Sequence, residues 1–397
     1  MNGDGLPDLF TTDHGNDHLW INNGDGTFTN VTGTDLLRPS YLPGAYWGDS
    51  HGSAFVMNNG TLELLVLTGA EQGVGQNYKQ LFIENDGVLS SPLSNAAGID
   101  DYAQRSRMPT FFMLKGKLAV FTGAIARPDG TAPPALYVEG DNGRFTIDQQ
   151  GALGLILSAP TMISADLNGD GQDELIGVVG VMGANGQVTE KLMVIDFSSG
   201  TPTALDQNDF RNLQVDARET VLVADFNGDG RPDILCLPGN SNNPDNTTQL
   251  PAILLLNTGN GFVDASAGSG LTIAPGVRVG SAVVGDFNND GRVDIFAFNN
   301  LNGPHGDPTD ALTTANTLYV NNGNGTGTAQ VSDVLAPATG EPRSVTTVDV
   351  NQDGNLDLDL TTSFAPNMLY ENTANDNAWI EIQGNRVNRR RDKQRQC

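Results

Sequence analysis

Nine-residue segments dense in carboxylates recur along this chain. Asp225, Asn227, Asp229 and Asp233 stand at positions 1, 3, 5 and 9 of one segment, with Gly230 at position 6. Asp286, Asn288, Asp290 and Asp294 repeat the arrangement, as do Asp349, Asn351, Asp353 and Asp357. A fourth copy, Asp166, Asn168, Asp170 and Glu174, ends in Glu; a fifth, Asn2, Asp4 and Asp8, lacks only the first acid. Several anionic side chains in one short hairpin repel one another unless a cation sits among them. Every side-chain donor in the motif is an oxygen, and the absence of His and Cys argues against zinc or copper. Ca²⁺ accepts six to eight oxygen ligands in irregular geometry, so the expected cofactor is calcium, about five ions in all. Positions 1, 3, 5 and 9 would supply side chains and position 7 a backbone carbonyl, with Gly at position 6 taking a positive φ.

The same opening residues begin an EF-hand loop, which needs an acid at position 12 and flanking helices. Position 12 here is Gly177, Cys236, Ala297 or Leu360, and the flanks are short apolar runs of strand length. The EF-hand is rejected. Val221–Ala224 precedes one loop and Ile234–Leu237 follows it; a third run, Ile253–Leu256, comes next. Turns rich in Asn and Gly, such as Asn321–Gly325, then lead to a fourth run. Four short strands per unit, with no helical periodicity, is the pattern of a propeller blade.

The central acid of each loop marks a register of about 60 residues. The interval between Asp4 and Asp170 leaves room for two more units, in phase at Asn59 and Lys115, where the ligand pattern is lost. The expected fold is all-β: a seven-bladed β-propeller of four-stranded blades with calcium-binding hairpin loops, the first blade incomplete at the N-terminus. One domain would span 1–384, with blades at about 1–45, 46–106, 107–160, 161–218, 219–279, 280–343 and 344–384. A basic tail follows at 385–397, expected to be disordered or a cut-off start of another segment.

The loops and the strands after them resemble the FG-GAP/VCBS repeats of integrin α-chain propellers and of many secreted bacterial proteins. Asn316, Leu318, Tyr319 and Asn321, repeated as Asn367, Leu369, Tyr370 and Asn372, narrow the resemblance. So do the stretches 22–32 and 44–49. Together they are similar to VCBS-repeat proteins that carry an ASPIC/UnbV segment, related to cartilage acidic protein. The stretch Trp379–Arg389 resembles the opening of that segment, then breaks into Arg390–Cys397. The resemblance implies a seven-bladed propeller, calcium in the hairpin loops, and export to the exterior or the cell surface, with a signal peptide missing from this fragment. It implies no defined ligand.

Composition narrows the partners. Asp and Glu number 47 against 21 Lys and Arg, a formal charge of −26, which argues against a nucleic-acid binder. No run of 18 apolar residues is present, so no helical membrane span is expected. Two cysteines exclude a disulfide scaffold. An extracellular glycan or protein is the expected partner of a monomer, held by the variable loops on the face opposite the acid hairpins. Tyr46, Trp47, Tyr102, Arg105 and His305 are the candidate ligand-binding residues, by their aromatic or charged character in blade-linking or variable segments. The function expected is adhesion or ligand binding without turnover, and no catalytic residue is assigned. The alternatives are a carbohydrate-active enzyme of the polysaccharide lyase type, with His305 or His14 as base, and a structural spacer within a larger surface protein.

Overall fold

Short apolar runs rich in Val, Ile and Leu, punctuated by Asn and Gly, favour strands joined by tight turns over helices. A computed structural model describes residues 2–12, 18–31, 49–69, 79–85, 88–90, 99, 106–124, 134–159, 161–182, 188–205, 220–238, 252–273, 277–301, 316–331, 341–363, 367–373 and 382–386. These build antiparallel meanders. The first sheet is β1 (Leu9–Thr11), β2 (His18–Asn22) and β3 (Phe28–Asn30). The second holds β4 (Asp49–Asn58), β5 (Thr61–Gly69), β6 (Lys79–Asn85) and β7 (Val88–Ser90). The third holds β8 (Ser106–Leu114), β9 (Lys117–Ala124), β10 (Ala135–Glu139) and β11 (Phe145–Ile147). In the fourth, β12 (Ile156–Ser158) and β13 (Ile163–Ala165) both pair with β14 (Glu174–Met182), followed by β15 (Val188–Asp196) and β16 (Thr203–Ala204).

The fifth runs β17 (Thr220–Ala224), β18 (Asp233–Leu237), β19 (Ile253–Asn257) and β20 (Phe262–Asp264). The sixth runs β21 (Val277–Gly285), β22 (Asp294–Leu301), β23 (Thr317–Asn321) and β24 (Gly327–Val331). The seventh runs β25 (Glu341–Val348), β26 (Asp357–Ser363), β27 (Met368–Asn372) and β28 (Ile382–Arg386). This is an all-β propeller, but its count of blades corrects the expectation of seven. Among the described residues six sheets have four or more strands and the first has three. Ahead of β1, residues 3–6 form the bend of an acid loop, with Gly3 and Gly5 at φ 79° and 87°, and among the described residues β1 pairs only with β2, so this sheet keeps three strands.

The chain forms two compact units, Met1–Val223 with Gly259–Gly261, and Ala224–Thr258 with Phe262–Cys397. In the first, Phe121, Leu136, Leu153, Met162, Val179 and Ile195 pack the third sheet on the fourth. In the second, Phe287, Phe296, Phe298, Leu358, Leu360 and Tyr370 pack the sixth sheet on the seventh. The inner strands are covered on both faces, so β18 is buried at every position, while outermost β20 exposes Val263 and Asp264.

The third strands share one burial pattern. β19, β23 and β27 bury their first three residues and end on a buried Asn: Asn257, Asn321 or Asn372. Asn321 shows why an amide is needed there. Its Nδ2 donates to the Val293 carbonyl at 2.9 Å in its own sheet and to the Phe226 carbonyl at 3.0 Å in the fifth. Its Oδ1 accepts the Gly323 N–H at 2.7 Å. Asn372 repeats the reach, donating to the Phe287 carbonyl of the sixth sheet at 2.9 Å. Each of these side chains pins one sheet to the one before it. Asn321→Ala leaves one buried and one half-buried carbonyl without their donor, and unfolding by denaturant should show a loss of about 2 to 3 kcal/mol. Asn324→Ala in the neighbouring exposed turn should cost well under about 1 kcal/mol. Equal losses for the two would contradict the pinning role.

Candidate metal centres

The acid loops at 166–174, 225–233, 286–294 and 349–357 each join two consecutive strands and that at 2–8 leads into β1, and in each the carboxylates serve the backbone. In the loop 225–233, Asp225 accepts N–H bonds from Gly228 at 2.7 Å, Asp229 at 3.1 Å and Gly230 at 2.7 Å. Asn227 Oδ1 accepts from the Asp229 N–H at 3.0 Å, and Asp229 Oδ1 from the Arg231 N–H at 3.0 Å. Successive Asx turns of this kind wind the chain tightly around the position-1 carboxylate. The loops at 286–294 and 349–357 share this winding: Asp286 and Asp349 each accept from positions 5 and 6. In the loop 166–174, Asp166 accepts from Gly169, Asp170 and Gly171. At residues 2–8 the Asx turns of Asn2 and Asp4 persist.

The backbone takes positive φ at position 6, as at Gly230 (83°) and Gly354 (90°). It does so at position 4 as well, even where Asn289 (56°) or Gln352 (58°) replaces glycine. The sequence reading identified only the first of these.

Position 9 is the deepest member. Asp233, Asp294 and Asp357 are fully buried, and Glu174 nearly so. Asp233 Oδ2 accepts the Phe226 N–H at 2.9 Å and its Oδ1 the Asn257 N–H at 2.7 Å. Asp294 and Asp357 do the same with Phe287 and Asn321, and with Val350 and Asn372. Burial, with the position-1 and position-5 carboxylates adding to it against these hydrogen bonds, pushes Asp294 and Asp357 up to about 6. Burial pushes Glu174 up to about 7, with Asp170, Asp196 and Asp166 adding to it. Asp233 is raised for the same reasons. The loops are short of positive charge, and their donors are carboxylate and amide oxygens, which suits a hard cation.

One partner escaped the sequence reading. Asp170, Glu174 and Asp196 place a carboxylate oxygen each within 4.8 Å of one another. Asp196 ends β15, the place that Asn257, Asn321 and Asn372 hold in their sheets. Only strand register reveals that equivalence, since Asp196 lies outside every repeat of the motif.

The two hairpins without the motif turn on two residues instead, Asn59-Gly60 and Lys115-Gly116, all at positive φ. Glu63 nevertheless keeps the position-9 acid in the second sheet. It is 8% exposed and raised by burial first, with Glu139 adding to it. Asn58 Nδ2 donates to Glu63 Oε1 at 3.1 Å and to Glu139 Oε1 at 3.4 Å. The contact between neighbouring sheets survives here with donor and acceptor exchanged.

Tyr46, Trp47, Tyr102, Arg105, His305 and His14 lie outside the described residues. Among the described residues no helix is long and apolar enough to cross a membrane.

The FG-GAP-like repeat family model matches residues 1–66, 225–297 and 307–358. No curated protein is similar enough in sequence to match. Among solved structures the chain is similar to the six-bladed fucose-recognising lectin of Aleuria aurantia, at 10% identity and a TM-score of 0.44, covering 84% of this chain and 94% of the lectin. It is similar to Trypanosoma rangeli sialidase at 11% identity and a TM-score of 0.44, over 91% of this chain and 58% of the sialidase. A Bombyx mori GH32 β-fructofuranosidase is similar at 13% identity and a TM-score of 0.35, over 96% of this chain and 86% of that one. The expectation of a module without turnover is corrected: the structural neighbours include propeller glycosidases, at low identity, beside the lectin. FG-GAP-like repeats in a propeller arrangement together support an FG-GAP propeller.

Proposed function

We propose that this chain is an exported, calcium-loaded β-propeller that binds an extracellular glycan or protein. The observation that carries the metal half is the electrostatic deficit of the loops. In four of them an oxygen-only donor set surrounds a buried acid held above its ordinary range. Calcium would be held by Asp225, Asn227, Asp229 and Asp233 and by their counterparts at 166–174, 286–294 and 349–357, with Asn2, Asp4 and Asp8 as a reduced set. Bound there, the ion supplies positive charge that lets all the carboxylates ionise together and fixes the first hairpin of each sheet. Asp196 is a further donor for the loop at 166–174. The ligand half of the reading is supported by the variable segments between strands, the usual seat of binding on a rigid scaffold.

Removing calcium from the purified protein should lower its melting temperature by about 10 °C or more, because several ions bind only the native state. An unchanged melt would rule calcium out. Asp229→Ala should reduce that calcium-dependent increment, whereas Lys115→Asn, which keeps a left-handed turn in a hairpin lacking the ligand set, should leave it intact. Identical behaviour of the two would contradict the division between the loops.

The pH dependence has a definite sign. Glu174, Asp294 and Asp357 are raised above ordinary values of 4.5, 3.8 and 3.8. In metal-stripped protein their contribution to stability is therefore full below about pH 4 and lost as pH rises through about 6 to 7. Calcium binds the ionised forms, so the melting increment on adding calcium should grow between pH 5 and pH 7.5. A constant increment would show that these acids do not compete with the ion for protons. A screen of glycans and matrix proteins, with calcium present and removed, should give binding that needs calcium; no binding under either condition would exclude the ligand reading.

A further inference from the structure

Position 7 differs from loop to loop: Leu6, Gln172, Arg231, Arg292 and Asn355. In both arginine loops the guanidinium makes the same two contacts. Arg231 Nε donates to the Asn257 carbonyl at 2.8 Å, and a terminal nitrogen donates to Asp229 Oδ2. Arg292 Nε donates to the Asn321 carbonyl at 2.9 Å, and a terminal nitrogen to Asp290 Oδ2 at 2.5 Å. The backbone N–H of each arginine meanwhile bonds the other oxygen of the same aspartate, at 3.0 and 2.9 Å. One residue thus grips both oxygens of the position-5 carboxylate and ties it to the Asn whose own N–H holds the position-9 acid. The stem of Arg292 lies against Gly323, where a Cβ would come within 2.8 Å of its Cδ. These aspartates are 27% and 16% exposed and the arginines 42% and 43%, so solvent screens each pair in part, and the bond from Nε to the Asn carbonyl holds the guanidinium in place.

We infer that Arg231 and Arg292 are built-in counter-cations, which hold the fifth and sixth acid loops closed without metal and compete with a divalent cation for Asp229 and Asp290. The competition rests on the calcium reading above; the closing of the metal-free loop does not. A guanidinium fixed beside a carboxylate both neutralises it and opposes an incoming cation. The loops at 166–174 and 349–357, with Gln172 and Asn355 at position 7, have no such competitor in that place. The propeller then carries two grades of site. Two loops answer to low calcium, and two keep their shape when calcium falls.

The test uses the full chain with Arg231→Gln and Arg292→Gln combined, and separately Gln172→Arg, which adds the guanidinium to the fourth sheet. Calcium titration calorimetry should show two ions bound about threefold more tightly by the double variant and one bound more weakly by Gln172→Arg. Stripped of metal, the double variant should melt below the parent chain and Gln172→Arg at or above it. Unchanged or weaker calcium affinity in the double variant overturns the competition. An unchanged melt of the stripped double variant overturns the counter-cation role. If the parent chain binds no calcium, the calcium reading and the competition fail together, and the stripped melts still decide whether the arginines hold the loops.

Discussion

A carboxylate buried at the foot of a hairpin, bonded through both oxygens to backbone amides, is the constraint on which the repeat depends. Asp233, Asp294 and Asp357 each join three separate pieces of backbone: the loop at position 2, the start of the second strand, and the end of the third. An uncompensated charge in that place is costly, and nearby carboxylates at positions 1 and 5 add to the cost. The rest of the loop can be understood as compensation. Asx turns aim amides at position 1, arginine closes on position 5 in two sheets, and the proposed calcium would supply the remainder.

The sheets without the motif show what remains when that compensation is removed. Two-residue turns at Asn59-Gly60 and Lys115-Gly116 need no ion to close. Glu63 keeps its place but takes Asn58 as a partner, and Asn58 also reaches Glu139 of the next sheet. A link between neighbouring sheets is common to both designs, made by Asn321 and Asn372 in one and by Asn58 in the other. In the fourth sheet Asp196 replaces the linking Asn and adds charge where the others have an amide. That exchange gathers three acids within one small volume, and Glu174, pushed up to about 7 by burial first, has Asp170, Asp196 and Asp166 adding to the effect.

The all-β repeat was legible because its signals are local: a nine-residue pattern, apolar runs of strand length, and Asn-Gly turns at a fixed spacing. The gathering of carboxylates and amides into each hairpin was legible for the same reason. The buried Asn at the end of the third strand stood in the pattern as Asn321 and Asn372, but its reach to the preceding sheet is a contact across 95 or 85 residues. Asp196 was hidden because its meaning comes from the register of β15. Arg231 and Arg292 occupied a variable position, where a single loop gives no reason to prefer one residue. The expectation of seven blades came from counting every repeat of the spacing as a blade, including the first, whose described residues form a three-stranded sheet.

The most direct measurement is the calcium content of the full chain by elemental analysis, after equilibration with calcium and exhaustive removal of the unbound ion. About four to five tightly held ions per chain are expected, falling by about one when Asp229 and Asp233 are both replaced by Asn. A content indistinguishable from buffer, or one unaffected by those replacements, would contradict the calcium reading.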